Sequence, residues 1–173
     1  AAIAPLRPAL PAPPLPQSAI RSALFEFDKH NLAKPQHLAK LLNWTLHDLF
    51  AQYSNTVLFG EDVAKKGGVY GVSQHLIQAF GGNRVINTLL DEQSILGMAI
   101  GLAQQGFIPI AEIQFLAYVH NAEDQIRGEA ATLPFFSNGQ YHNAMVIRIA
   151  GLAYQRGFGG HFHNDNSFAV FRD

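Results

Sequence analysis

From about Thr56 onward the chain alternates between unbroken apolar runs and stretches whose apolar residues recur every three or four positions. "TVLFGEDV", "RVINTLL", "FIPIAEIQF" and "AMVIRIA" read as strands buried on both faces, because short continuous apolar runs bounded by turn residues fit that environment. "GVSQHLIQAFG", "EQSILGMAIGLAQQG" and "HNAEDQIRGEAATLPFFS", which lie between them, read as helices, the second stopped at Gly106. Upstream, Leu38, Leu41, Leu42, Leu46 and Leu49 approximate a helical period behind Pro35, which predicts an amphipathic helix from about Pro35 to Tyr53. The final "SFAVFRD" reads as one more apolar, strand-like run. Strands alternating with helices predict an α/β fold: a mostly parallel sheet with helices on both faces. Ligands in such sheets bind beyond the carboxyl ends of the strands. There stand "GEDV", "LLDEQ", "AEIQFLAYVHN" and, after the last strand, "AGLAYQRGFGGHFHN".

The first 16 residues, "AAIAPLRPALPAPPLP", have a different character. Prolines this dense cannot donate to a helix or sheet ladder and favour extended segments. Proline also interrupts the apolar core of a signal peptide, so residues 1–34 read as an interdomain linker and lead-in. Residues 35–173 then form the domain proper. The non-Met start and the abrupt apolar end make the sequence read as a fragment with a missing neighbour and a truncated C-terminal end.

Composition narrows the function. Only 14% of residues are charged against 48% hydrophobic, which predicts that another domain or subunit covers part of the surface. A formal net charge of -1 gives no footprint for nucleic acid or a membrane surface. No apolar run approaches the roughly 18 residues that a membrane span needs. The absence of cysteine excludes disulfides and thiolate metal sites and fits a reducing, cytoplasmic compartment.

Asp91 and Glu92 stand between a strand and a helix. A carboxylate there meets unpaired backbone donors and the positive end of the helix dipole, so both acids could simply cap and decorate the first turn. The helix that follows carries Gly97 and Gly101 four apart on one face. Each glycine costs about 1 kcal/mol against alanine inside a helix. The pair therefore predicts a close helix–helix crossing, within the chain or between subunits. Phe115 and Tyr118, just past a strand, read either as core aromatics or as site residues. His161 and His163 form an H-x-H pair in the Gly-rich "GFGGHFHND". No further ligand lies close in sequence, which makes metal binding the weaker reading and proton handling the better one. "GGVYG" and "GFGG" match neither a Walker loop nor a dinucleotide fingerprint.

Taken together, "VLFGEDVAKKGGVYGV", "RVINTLLDEQSILGMAIGLA", "IPIAEIQFLAYVHNAEDQIRGEAA" and "FGGHFHNDNS" resemble the beta-subunit type of the thiamine-diphosphate-dependent decarboxylase component of 2-oxo acid dehydrogenase complexes. The resemblance spans about Leu38 to Asp173. It includes the wider thiamine-enzyme pattern of a glutamate, four residues, then Gly-apolar-x-x-Gly-apolar, here Glu92 followed by Gly97-Met98-Ala99-Ile100-Gly101-Leu102. The leading linker looks like that of bacterial forms in which alpha-type and beta-type halves are fused.

The resemblance implies a transketolase-like pyrimidine-binding domain holding one half of thiamine diphosphate. Glu92 matches the glutamate that hydrogen-bonds the aminopyrimidine ring and supports loss of the thiazolium proton. A dry site would raise the pKa of such a carboxyl, so that it can share a proton. Tyr118 matches the aromatic that stacks on the ring, and Leu90 and Phe115 fall beside the cofactor. His163, in preference to His161, matches the histidine facing the thiazolium and the substrate. Gly97 and Gly101 match the face on which two such domains pack. The family holds the diphosphate and Mg²⁺ with a Gly-Asp-Gly…Asn motif on another domain. No Gly-Asp-Gly occurs in this chain, so no metal ligand is expected in it. The implied partners are an alpha-type diphosphate-binding domain, a second copy and a lipoyl-bearing acyltransferase, and the implied reaction is oxidative decarboxylation of a 2-oxo acid with acyl transfer to lipoyl. A transketolase-like enzyme and a non-catalytic assembly domain are the alternatives.

Overall fold

The strand Thr56–Gly60 (β1) is buried at every position and sits inside a four-stranded, all-parallel sheet. A computed structural model describes residues 34–152, 163 and 165–172. The strands run in the order β2-β1-β3-β4, with β2 at Val85–Asn87, β3 at Ile108–Ile113 and β4 at Val146–Ile149. Leu58 of β1 lies opposite Val85 on one side and Ile110 on the other. Ile113 in turn pairs with Ile149. The linker expected over residues 1–34 lies, apart from Lys34, outside the described residues, and so does His161.

Alternate side chains of the strands build two separate cores. Val57, Phe59, Ala111 and Ile113 point to one face, where Ile95, Leu96 and Ala99 of the helix Glu92–Gln104 cover them. Leu58, Val85 and Ile110 point to the other, beneath Leu46 and Phe50 of the helix Leu38–Gln52 and Leu76 of the helix Leu76–Phe80. In chain order these helices are α1 (Leu38–Gln52), α2 (Leu76–Phe80) and α3 (Glu92–Gln104). Covering on both faces is why the strand sequences are apolar without alternation. Among the described residues no helix is long and apolar enough to cross a membrane.

Three expected elements differ in detail. "GVSQHLIQAFG" keeps only α2 as a helix, because Tyr70 and His75 adopt φ of 58° and 66°, left-handed values that break it at its start. "HNAEDQIRGEAATLPFFS" and the residues before it divide into a 3-10 segment at Leu116–Ala122, a π segment at Gln125–Ala130 and a short helix α4 at Leu133–Phe136. "SFAVFRD" is not a strand: Phe168–Phe171 is a 3-10 turn. The Asp165 side chain accepts from the Ser167 amide at 2.7 Å, which turns the backbone just before that apolar run.

Beside the carboxyl end of β1 the strands approach closely. Gly60 has φ 157°, and a Cβ there would lie 2.6 Å from the carbonyl oxygen of Glu112. A Cβ on Gly68 would meet the Ser73 hydroxyl at 2.7 Å and Glu112 Oε1 at 3.0 Å. The loop between the two glycines is thereby drawn down over a buried charge. Glu112 is fully buried, and Arg148 of β4 lies 2.5 Å from its Oε2. Burial pushes the Glu112 carboxyl above the usual range, opposed by the Arg148 guanidinium and by the Val69 amide. Further bonds fix this loop: Ala64 N donates to Asn87 Oδ1 at 2.8 Å, and Ser73 Oγ donates to the Val63 carbonyl at 2.7 Å.

Candidate functional site

Asp91 and Glu92, adjacent in sequence, do different things. Asp91 is the exposed cap of α3: its carboxylate accepts from Ser94 N at 3.4 Å and from Ser94 Oγ at 2.5 Å. Those two donors hold the Asp91 carboxyl below its ordinary range. Glu92, with its backbone in the first turn, folds its side chain inward and is only 6% exposed. Its Oε2 accepts from Asn121 Nδ2 at 3.2 Å. A residue that served the helix end alone would stay in water as Asp91 does. Burying a carboxylate costs several kcal/mol unless something meets its charge.

A second acid shares this corner. Glu61 is the first residue after β1, and β1 and β2 are neighbours. Its carboxyl is raised above the ordinary range by burial first, then by the negative charges of Asp62 and Glu92. The sequence placed "GEDV" at a strand end but gave no role to Glu61, and Asn121 was not singled out at all. The only signal for Asn121 was its position three residues after Tyr118, one turn along a helical segment.

That segment, Leu116–Ala122, organises the rest of the site. Phe115 leaves β3 in extended conformation and is buried at the start of the turn. Tyr118 meets it edge-on, with ring centroids 5.9 Å apart at 85°. His163 packs against Phe115 at 4.5 Å between centroids and against Tyr118 at 5.7 Å. The Tyr118 hydroxyl lies 3.2 Å from His163 Nδ1. Phe115, Tyr118 and His163 are therefore one cluster, although 45 residues separate the last two. Phe115 and His163 also line a cavity of about 410 Å³, together with Gln114 and the loop residues Asp62, Lys66, Gly68, Val69 and Tyr70.

The remaining expected residues face outward. Leu90, just before the cap, is 71% exposed, and Leu89 beside it is more so. Gly97 and Gly101 lie on the face of α3 opposite Ile95, Leu96, Ala99 and Ala103. A Cβ added at either glycine would meet nothing within 4 Å. The close crossing expected of them is not made within the described chain. Among the described residues no group of three or more His, Asp or Glu side chains is arranged to hold a metal ion.

A doubly covered parallel sheet with a buried carboxylate and an aromatic–histidine cluster beside its strand ends defines an α/β domain. The chain belongs to the transketolase pyrimidine-binding domain family, whose sequence profile matches residues 34–135. It is similar to the 2-oxoisovalerate dehydrogenase subunit beta, mitochondrial, of Dictyostelium discoideum, at 38% identity over 90% of this chain and 42% of that protein. It is also similar to the 3-methyl-2-oxobutanoate dehydrogenase subunit beta of Mycobacterium tuberculosis, at 35% identity over 75% of this chain and 36% of the relative. The pyruvate dehydrogenase E1 component subunit beta of Staphylococcus epidermidis shares 36% identity over 73% of this chain and 37% of the relative. The chain thus spans less than half the length of each of these relatives.

Proposed function

We propose that this domain supplies the pyrimidine-binding half of a thiamine diphosphate site in the decarboxylase component of a 2-oxo acid dehydrogenase. The inward-folded Glu92 is the observation that carries this reading. A buried carboxylate, the Tyr118 ring one helical turn before the Asn121 that holds it, and the exposed Leu90 are the set that a flat, apolar-faced ring with a polar ring nitrogen requires. Thiamine diphosphate would supply the carbon nucleophile for decarboxylation. Glu92 would hold the ring nitrogen and share a proton with it, and Asn121 positions the Glu92 carboxylate by donating to its Oε2. Tyr118 and Leu90 offer faces to the ring. His163, on the cavity wall, handles a proton on the substrate side. The diphosphate and Mg²⁺ fall to an alpha-type domain, since this sequence has no Gly-Asp-Gly. Acyl transfer to a lipoyl-bearing acyltransferase completes the reading, as the family resemblance implies. A cytoplasmic location stands as part of the same proposal; the Dictyostelium relative carries "mitochondrial" in its name.

The isolated chain is expected to bind thiamine diphosphate with Mg²⁺ more weakly than micromolar by calorimetry, and to bind tightly once joined to a diphosphate-binding partner. Micromolar binding by the chain alone would overturn the half-site reading. No binding in the assembled protein would overturn the cofactor.

A second copy is the occupant we assign to the open face of α3. Met98 is exposed on that face, and the two glycines leave the helix backbone open to close approach by another helix. Gly101→Leu separates two effects of opposite sign. Its Cβ has open space, so the chain itself gains up to about 1 kcal/mol of helix propensity. Self-association weakens, because the helices can no longer approach. Light scattering that shows an unchanged dimer for this variant, or a wild-type monomer at high concentration in the assembled protein, counts against the assignment.

A further inference from the structure

We propose that His120 is a positioning residue for His163: it clamps the chain two to four residues beyond that histidine and so holds the imidazole against Tyr118 and Phe115. The proposal rests on the reading of His163 as the substrate-side proton carrier.

The 3-10 segment Leu116–Ala122 sends three polar side chains to three places. Tyr118 reaches His163 Nδ1 at 3.2 Å, and Asn121 reaches Glu92 at 3.2 Å. His120 reaches past His163: its Nε2 lies 3.1 Å from Ser167 Oγ and 3.4 Å from Asp165 Oδ2. The stretch it grips is already closed on itself, with Asp165 Oδ1 accepting from Ser167 N at 2.7 Å and from Ser167 Oγ at 2.6 Å. One imidazole therefore holds a small rigid turn rather than a single side chain. Among the described residues the backbone adds a long second anchor, Leu152 N to the Asp165 carbonyl at 3.4 Å.

The opposite side of the ring faces a second carboxylate. His120 Nδ1 faces Glu123 Oε2 at 3.6 Å, and Asp124 and Arg127 line the same cavity of about 390 Å³. Glu123 stands on the Nδ1 side of the ring, and the hydrogen-bond contact with the turn is made by Nε2. The Asp165 carboxyl is held below its ordinary range by the Ser167 donors first and by His120 after them, so the aspartate stays ionised to receive the clamp. The Tyr118 hydroxyl and the rings of Phe115 and Tyr118 meet the His163 imidazole itself, whereas His120 holds the chain that follows it. A displacement of about 1 Å at a reacting group costs on the order of 10²-fold in rate.

The test uses the assembled enzyme and reads turnover, thiamine diphosphate affinity and the His163 ring signals by NMR. His120→Phe keeps the ring size and removes both nitrogens. The expected result is a fall in kcat of roughly 10–100-fold with unchanged cofactor affinity, since Glu92 and Asn121 are untouched, together with shifted or broadened His163 signals. His120→Gln, which restores one donor, should recover both. Asp165→Asn breaks the clamp from the other side without altering His120, and its effect should not add to that of His120→Phe. His163 signals and kcat that are unchanged in both variants would overturn the proposal. A loss of kcat with unmoved His163 signals and no rescue by Gln would also overturn it. Moved signals with unchanged kcat would leave the clamp standing and remove His163 from the reaction.

Discussion

Glu92→Gln in the assembled enzyme lowers turnover by about 10²–10⁴-fold, the usual cost of losing a positioned proton-handling group. The fold survives. Gln has nearly the same shape, and its amide oxygen can still accept from Asn121 Nδ2. Loss of a negative charge at the start of α3 costs about 0.3–1 kcal/mol. It is partly offset because Glu61, whose carboxyl the charge of Glu92 helps to raise, relaxes toward its ordinary range. The amide cannot carry an exchangeable acidic proton to a ring nitrogen, so the chemical step loses its support. Exchange of the thiazolium proton and the thermal midpoint separate the two possible roles. Slow exchange at a near-native midpoint is the expected result. Wild-type exchange with a lowered midpoint would make Glu92 a helix-end residue and leave the cofactor assignment without its main support.

Arg148→Met is expected to destabilise the protein by about 3–5 kcal/mol, the range for breaking a buried pair and stranding the remaining charge. Met fills much of the volume, so the loss is electrostatic. Glu112 stays fully buried with its cationic partner gone. Its carboxyl, already raised by burial, rises further. The direction of the pH effect follows. A carboxyl whose folded pKa is raised binds its proton more tightly in the folded state than in the unfolded one. The stability this contributes is present below the unfolded value and is lost as pH rises through the folded value. Arg148→Met should therefore lose less stability at pH 5 than at pH 8, as read from denaturant midpoints. An equal loss at both pH values would show that Glu112 is not the stranded charge. A second substitution, Glu112→Leu, should restore part of the loss at neutral pH, because an apolar pair no longer buries a lone charge.

The sheet was legible from sequence because its signal is long and redundant. Each of the four apolar runs became a parallel strand, and the helix opening at Glu92 began where the capping acid placed it. What stayed hidden depends on contacts between distant positions. Spacing cannot tell which acid of Asp91-Glu92 turns inward, since that follows from Asn121, 29 residues on. Glu112 looked like one polar residue inside a strand, and its partner lies on the next strand but far along the chain. The helical run after His120 was read as one element. Changes of hydrogen-bond spacing within it, from 3-10 to π to α, leave the apolar periodicity too little altered to be read. The last apolar run failed for a local reason: an aspartate side chain had already turned the backbone.

The strand order has a consequence for how the chain comes off the ribosome. β1 is an interior strand, yet among the described strands it is the first to be made, and both of its neighbours are synthesised later. At about 5–20 residues per second, β3 follows β1 by several seconds. Throughout that interval "TVLFG" carries an unpaired edge, closed on one side by β2 and on the other only once α3 and β3 have emerged. The nascent chain therefore passes through an interval in which an apolar strand edge is unpaired, and the timing of synthesis through α3 sets how long that lasts.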